Sequence, residues 1–173
     1  MKILTLLRHG KSNWNAPYQA DYDRPLKARG RRDARAMGEY LAELDLAPGL
    51  IVSSPAERAR QTAELFAEAA GCYEDIAWDE AIYGASSDEL MAILRGLPDG
   101  VEHMLLVGHN PGFEQLASHL VGADPHGPAL DVRMPTAAVA HLHLDIPSWG
   151  DVQFGCGRLQ WLMMPKMLRE SSP

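Results

Sequence analysis

The chain has 173 residues, 46% hydrophobic and 23% charged, which fits one globular domain rather than two. Its 16 Lys and Arg stand against 23 Asp and Glu, a formal charge of −7, which argues against broad attraction to nucleic acid or an anionic lipid surface. Any anion it binds must meet a local positive cluster. The longest apolar runs reach about five residues against the ~20 needed to cross a bilayer, so no membrane span is expected. The start MKILTLLRHG lacks a small-residue cleavage site, and a cytoplasmic location is the expectation. Cys72 and Cys156 are far apart and form no CxxC, so neither zinc nor a disulfide framework is indicated.

Ile3 to Leu7 is a short apolar run of the kind buried on both faces of a sheet, and it breaks at Gly10. Residues 31 to 46 place Ala34, Met37, Leu41 and Leu44 on one helical face, with charges on the rest. Leu50 to Ser53 reads as a second buried strand. Ser54-Pro55-Ala56-Glu57 then predicts a helix from Pro55, with Ser54 as N-cap and Glu57 completing a capping box. Its apolar stripe is Ala59, Ala63, Phe66 and Ala70, and Gly71 ends it.

Ser86 and Glu89 form a second capping box, opening a helix through Leu90, Met91, Leu94 and Leu97. A strand from Glu102 to Val107 follows, and then a helix after Pro111 carrying Phe113, Leu116, Ala117, Leu120 and Val121. Ala137 to Leu144 and Arg158 to Met163 predict two closing strands. The alternation implies a three-layer α/β/α fold with a mainly parallel central sheet. One domain over residues 1–168 is expected, followed by a polar tail over 169–173.

In an open parallel sheet, ligands sit beyond the carboxyl ends of the strands. Three such places stand out: Arg8, His9, Gly10, Lys11 and Ser12 after the first strand; Ser53, Ser54 and then Arg58 after the second; Gly108, His109 and Asn110 after the later one. Two arginines and two histidines meeting at one rim would repel unless an anion lay among them, and planar guanidinium groups suit phosphate oxygens. The pocket calls for a phosphoryl group. Gly10-Lys11-Ser12 is not the end of a P-loop, because Thr5 stands where that motif needs glycine, and the dinucleotide-binding glycine pattern is missing. His141 and His143 share a strand face without an evident third ligand, so no metal site is expected.

LLRHGKSNW, SSPAERARQTAE and VGHNPGFEQL, in that order, resemble the three signature segments of the histidine phosphatase superfamily, also called phosphoglycerate mutase-like. The resemblance covers nearly the whole chain. YDRPLKARG at residues 22 to 30 and WLMMP at 161 to 165 are similar to the SixA-type phosphohistidine phosphatase branch. The resemblance implies the phosphoglycerate mutase-like fold and a metal-independent, cofactor-free phosphatase in which His9 attacks phosphorus and carries the group. Arg8, Arg58 and His109 would surround the equatorial oxygens, with Lys11 and Ser12 as further substrate contacts. Glu80, in Glu80-Ala81-Ile82-Tyr83-Gly84, matches the family's general-acid stretch.

Only 28 residues separate Glu80 from His109, which leaves no room for a large lid, so an open site and a phosphohistidine on a protein are favoured. A phosphotransfer domain of a signalling relay is one such partner. Asp21, Asp23 and Arg24 would border that entrance. Phosphatase action on a small phosphomonoester is the alternative, and a non-catalytic phosphate-binding module is the alternative from another class.

Overall fold

The structure is a computed structural model and describes residues 1–72, 75–122 and 130–171. Among the described residues six strands form one sheet: β1 (Lys2–Arg8), β2 (Leu50–Ser53), β3 (Ala77–Trp78), β4 (His103–Gly108), β5 (Val139–Leu144) and β6 (Gly157–Met163). Their spatial order is β3-β2-β4-β1-β5-β6. The β1–β4, β2–β4 and β2–β3 pairs are parallel, while β5 and β6 join antiparallel. The two closing strands thus sit together at one edge of a mainly parallel sheet.

The central strands read as unbroken apolar runs because both of their faces are covered. Leu4, Leu6, Met104 and Leu106 point to one side, where α3 (Ser87–Arg95) and α4 (Gly112–Val121) supply Leu90, Leu94, Phe113 and Leu116. Leu7, Leu105 and Val107 point to the other, against Met37 and Leu41 of α1 (Ala28–Glu43) and Ala63 and Phe66 of α2 (Glu57–Ala70). Gly38 lets α1 approach α2, since a Cβ there would stand 2.4 Å from the Phe66 carbonyl oxygen. No helix among the described residues is long and apolar enough to cross a membrane.

Several boundaries differ from expectation. The first helix begins at Ala28 rather than near residue 31 and ends at Glu43, so Leu44 caps it and is exposed rather than completing the stripe. Helix α2 begins at Glu57 rather than Pro55, with Ala56 as its cap and no side-chain cap bond. Glu57 engages Arg60 and Gln61 instead of closing a box. The box at Ser86 and Glu89 is present as predicted. Arg169 and Glu170, expected in a polar tail, continue α5 (Pro165–Ser171), where Arg169 pairs with the buried Asp33 of α1 at 2.6 Å. Ser172 and Pro173 lie outside the described residues. Strand β3 escapes any periodicity because it has two residues, both exposed.

Candidate active site

Parallel pairing brings the ends of three strands to one level. Arg8 lies opposite Gly108, and Ser53 lies opposite Val107. The residues that follow are stitched across the rim: His9 N donates to the Gly108 carbonyl at 3.0 Å, and Ser54 N donates to the Val107 carbonyl at 3.0 Å. His9, Ser54 and His109 therefore leave the sheet side by side. The His9 and His109 ring centroids are 5.3 Å apart.

The turn after His9 is held from two directions. Gly10 N donates to Thr62 Oγ1 at 2.9 Å, and that hydroxyl donates to the Arg58 carbonyl one turn earlier on α2 at 2.7 Å. On its other side the turn lies against α1: a Cβ on Gly10 would be 2.7 Å from the Gly30 carbonyl oxygen, and one on Gly30 would be 2.3 Å from that of Lys11. Glycine at both positions is what permits the two backbones to touch. Helix α2 thereby places Arg58 beside His9.

The imidazole of His9 is 7% exposed and held at about 3 by burial first, with the charges of His109, Arg58 and Arg8 adding to the effect. It is neutral at ordinary pH, and its Nδ1 lies 2.8 Å from the Gly10 carbonyl. Only an N–H can bond a carbonyl, so Nδ1 carries the proton and Nε2 keeps a lone pair. Arg58 Nε donates to that lone pair over a long 3.4 Å. His109, 8% exposed, is lowered to about 4 by burial and then by Arg58, with Asp21 acting in the opposite sense.

His109 Nε2 is 2.8 Å from Ser54 Oγ. This contact explains the displaced start of α2: the hydroxyl predicted to cap the helix faces a histidine 55 positions away and reaches only Ala56 N, at 3.3 Å. Arg8 Nη1 and Asn110 Nδ2 both donate to the Met134 carbonyl, at 3.0 and 2.9 Å. Arg8 Nε and His109 Nδ1 are buried without a hydrogen-bond partner among the described residues. Unpaired buried polar nitrogens are costly unless a ligand completes them, and two of them occur here beside the guanidinium of Arg58.

Other expected residues stand apart. Lys11 is exposed, and its carbonyl accepts from Lys27 N. The buried hydroxyl of Ser12 accepts from Arg24. Glu80 lies exposed on a single turn over Glu80–Ile82, and no hydrogen bond among the described residues joins its carboxylate to His9, Arg58 or His109. Tyr83, at the end of that turn, packs edge-on against His109 with centroids 5.4 Å apart. Asp21 enters the cluster more closely than its expected place at the entrance implied. Its carboxylate meets Arg58 Nη2 and the Tyr83 hydroxyl, each at 3.0 Å, and Arg24 Nη2 at 2.8 Å. His141, on the far part of the sheet, is 2.9 Å from Thr5 Oγ1 and stacks on Trp161.

The profile of the histidine phosphatase superfamily, branch 1, matches residues 4–89. An uncharacterized protein of Mycobacterium tuberculosis is 33% identical over 165 residues, covering 92% of this chain and 100% of that protein. A structure of a candidate phosphohistidine phosphatase SixA from Agrobacterium tumefaciens has 30% identity and a TM-score of 0.75 over 95% of this chain and 98% of its own. The chain belongs to the histidine phosphatase superfamily, in its SixA-type branch. A phosphoserine phosphatase from Entamoeba histolytica shares the fold at 17% identity, with a TM-score of 0.67 over 97% of this chain and 100% of that one. As a member of the superfamily, the protein is a phosphatase. The profile spans the strand ends that carry His9 and Arg58, and β4 brings His109 to the same rim from outside it.

Proposed function

We propose that the protein hydrolyses phosphohistidine on another protein through a covalent intermediate on His9. The observation that carries this reading is the neutral His9 ring, with Nδ1–H fixed on the Gly10 carbonyl and the Nε2 lone pair set among Arg8, Arg58 and His109. Nε2 attacks phosphorus in line, a P–N bond to the enzyme forms as the P–N bond to the substrate breaks, and the substrate ring, protonated beforehand by solvent on its other nitrogen, leaves as neutral imidazole. Water then cleaves the phosphoenzyme to inorganic phosphate and restores His9. Arg8 and Arg58 balance charge on the equatorial oxygens, and preorganised positive groups of this kind supply most of the acceleration in phosphoryl transfer.

The acid side of the site supports the choice of substrate. An alkoxide leaving group needs a carboxyl of raised pKa within reach. Asp21, the carboxylate in contact with the cluster, is raised by burial but held at about 2 by Arg24, Tyr83 and Arg58. Glu80 sits on the exposed turn without a bond to the cluster. An imidazole leaves more readily than an alkoxide, so a site built this way suits phosphohistidine. The A. tumefaciens relative named as a candidate phosphohistidine phosphatase agrees with it.

Steady-state turnover of a histidine-phosphorylated protein and of a panel of phosphate esters tests the proposal. A kcat/KM at least tenfold higher on the phosphoprotein is expected, whereas activity confined to the esters rejects it.

A further inference from the structure

The loop between β1 and α1 reaches back into the active site at one residue. Asp21 accepts from three side chains carried by three separate parts of the chain: Arg24 through Nε and Nη2, at 3.2 and 2.8 Å; Arg58 through Nη2, at 3.0 Å; and the Tyr83 hydroxyl, at 3.0 Å. Its backbone carbonyl accepts from Arg58 Nη1 at 2.7 Å. Arg58 is 6% exposed, so it spends three of its five N–H groups on Asp21 and His9 and keeps two. Arg24 is itself locked, against Ser12 on one side and with its guanidinium 3.7 Å from the Trp14 ring on the other. The carboxylate therefore stands in a built cradle, on the guanidinium that would hold the transferred group.

We infer that Asp21 is a positioning residue that competes with bound phosphate for Arg58, aiming the guanidinium at His9 while weakening its hold on the product. The inference rests on the reading of Arg58 as a phosphoryl ligand. A carboxylate on an arginine offsets part of its charge, and a dianion that settles beside it is repelled. Hydrolysis of the phosphoenzyme leaves inorganic phosphate among Arg8, Arg58 and His109, an arrangement suited to retaining it. Asp21 is ionised across the working pH range, being held at about 2, so the competition is always present. Only half of its side chain is covered, which lets it yield when substrate arrives.

Competitive inhibition by orthophosphate, with para-nitrophenyl phosphate as the chromogenic probe, separates this role from a structural one. In Asp21→Asn the Ki for orthophosphate is expected to fall about fivefold, as loss of one nearby negative charge allows, while kcat falls because Arg58 is no longer aimed. A residue that merely braced the loop would weaken phosphate binding and turnover together. Tyr83→Phe, which removes one anchor of Asp21, shifts Ki in the same direction by a smaller factor. Phosphate that inhibits Asp21→Asn no more tightly than wild type overturns the inference. Arg58→Ala in the same assay isolates the underlying reading: if it leaves both Ki and kcat unchanged, Arg58 is not a phosphoryl ligand and both ideas fall, whereas a raised Ki there with an unchanged Ki in Asp21→Asn removes the competition alone.

Discussion

Replacing Arg58 by alanine separates the stability of the site from its chemistry. In the folded protein the guanidinium donates to His9 Nε2, to the Asp21 carbonyl and to the Asp21 carboxylate. Its loss leaves Asp21 with Arg24 and Tyr83, and that carboxylate is half exposed, so the fold should lose only about 1–2 kcal/mol, from charged hydrogen bonds partly replaced by water. A well-placed arginine in phosphoryl transfer is worth ~10³ or more in rate, about 4 kcal/mol. The variant should therefore melt cooperatively, while its kcat/KM for phosphoramidate falls about 10³-fold. The pH profile should change as well. Burial is the larger cause of the low His9 value, but the Arg58 charge adds to it, so removing that charge moves His9 up from about 3 towards its ordinary range. The acid limb of phosphoenzyme formation then shifts to higher pH. A kcat/KM within tenfold of wild type, or an acid limb that does not move, would refute the reasoning.

Glu80→Gln should change kcat little on either phosphate esters or phosphoramidate, because its carboxylate lies on an exposed turn and makes no bond to the cluster; an ester kcat that falls tenfold or more while phosphoramidate hydrolysis is kept would contradict the leaving-group argument. Gly30→Ala forces a methyl group onto the Lys11 backbone, where it would stand 2.3 Å from the carbonyl oxygen, and should destabilise the protein by about 3 kcal/mol as overpacking does. Its urea midpoint reports this, and an unchanged midpoint would show that the two backbones can separate freely. Acid should unfold the protein readily: His9, His109 and His141 are buried and held neutral, at about 3, 4 and 4, and burial is the leading cause in each. Unfolding returns these rings to about 6.5, so the unfolded chain binds more protons between about 3 and 6.5, with His109 and His141 contributing down to about 4 and His9 down to about 3. Their contribution is complete above that window and is lost as the pH falls through it; a Tm at pH 5 equal to that at pH 7.5 would contradict the assignment.

Much of the site was readable from the sequence because it lies where strands stop. Arg8 ends β1 and His9 follows it, Arg58 and His109 come after β2 and β4, and parallel pairing aligns those three ends. Two things were not readable, for the same physical reason. Ser54 satisfies a local capping rule, yet its hydroxyl serves a histidine delivered by β4; Asp21 sits in a loop of ordinary polar composition, and only the folded chain sets it on Arg58 and Tyr83. Local patterns fix local bonds, and a side chain with a better long-range partner leaves them. The continuation of α5 to Ser171 belongs with these, since Arg169 has Asp33 of α1 as its partner.

Rapid quenching after mixing with radiolabelled phosphoramidate asks most directly whether the transferred group passes through His9. Label should appear on His9, stable to base and labile to acid, rise and decay within one turnover, and be absent from His9→Ala. Release of phosphate without any labelled enzyme, or label on another residue, would contradict the account.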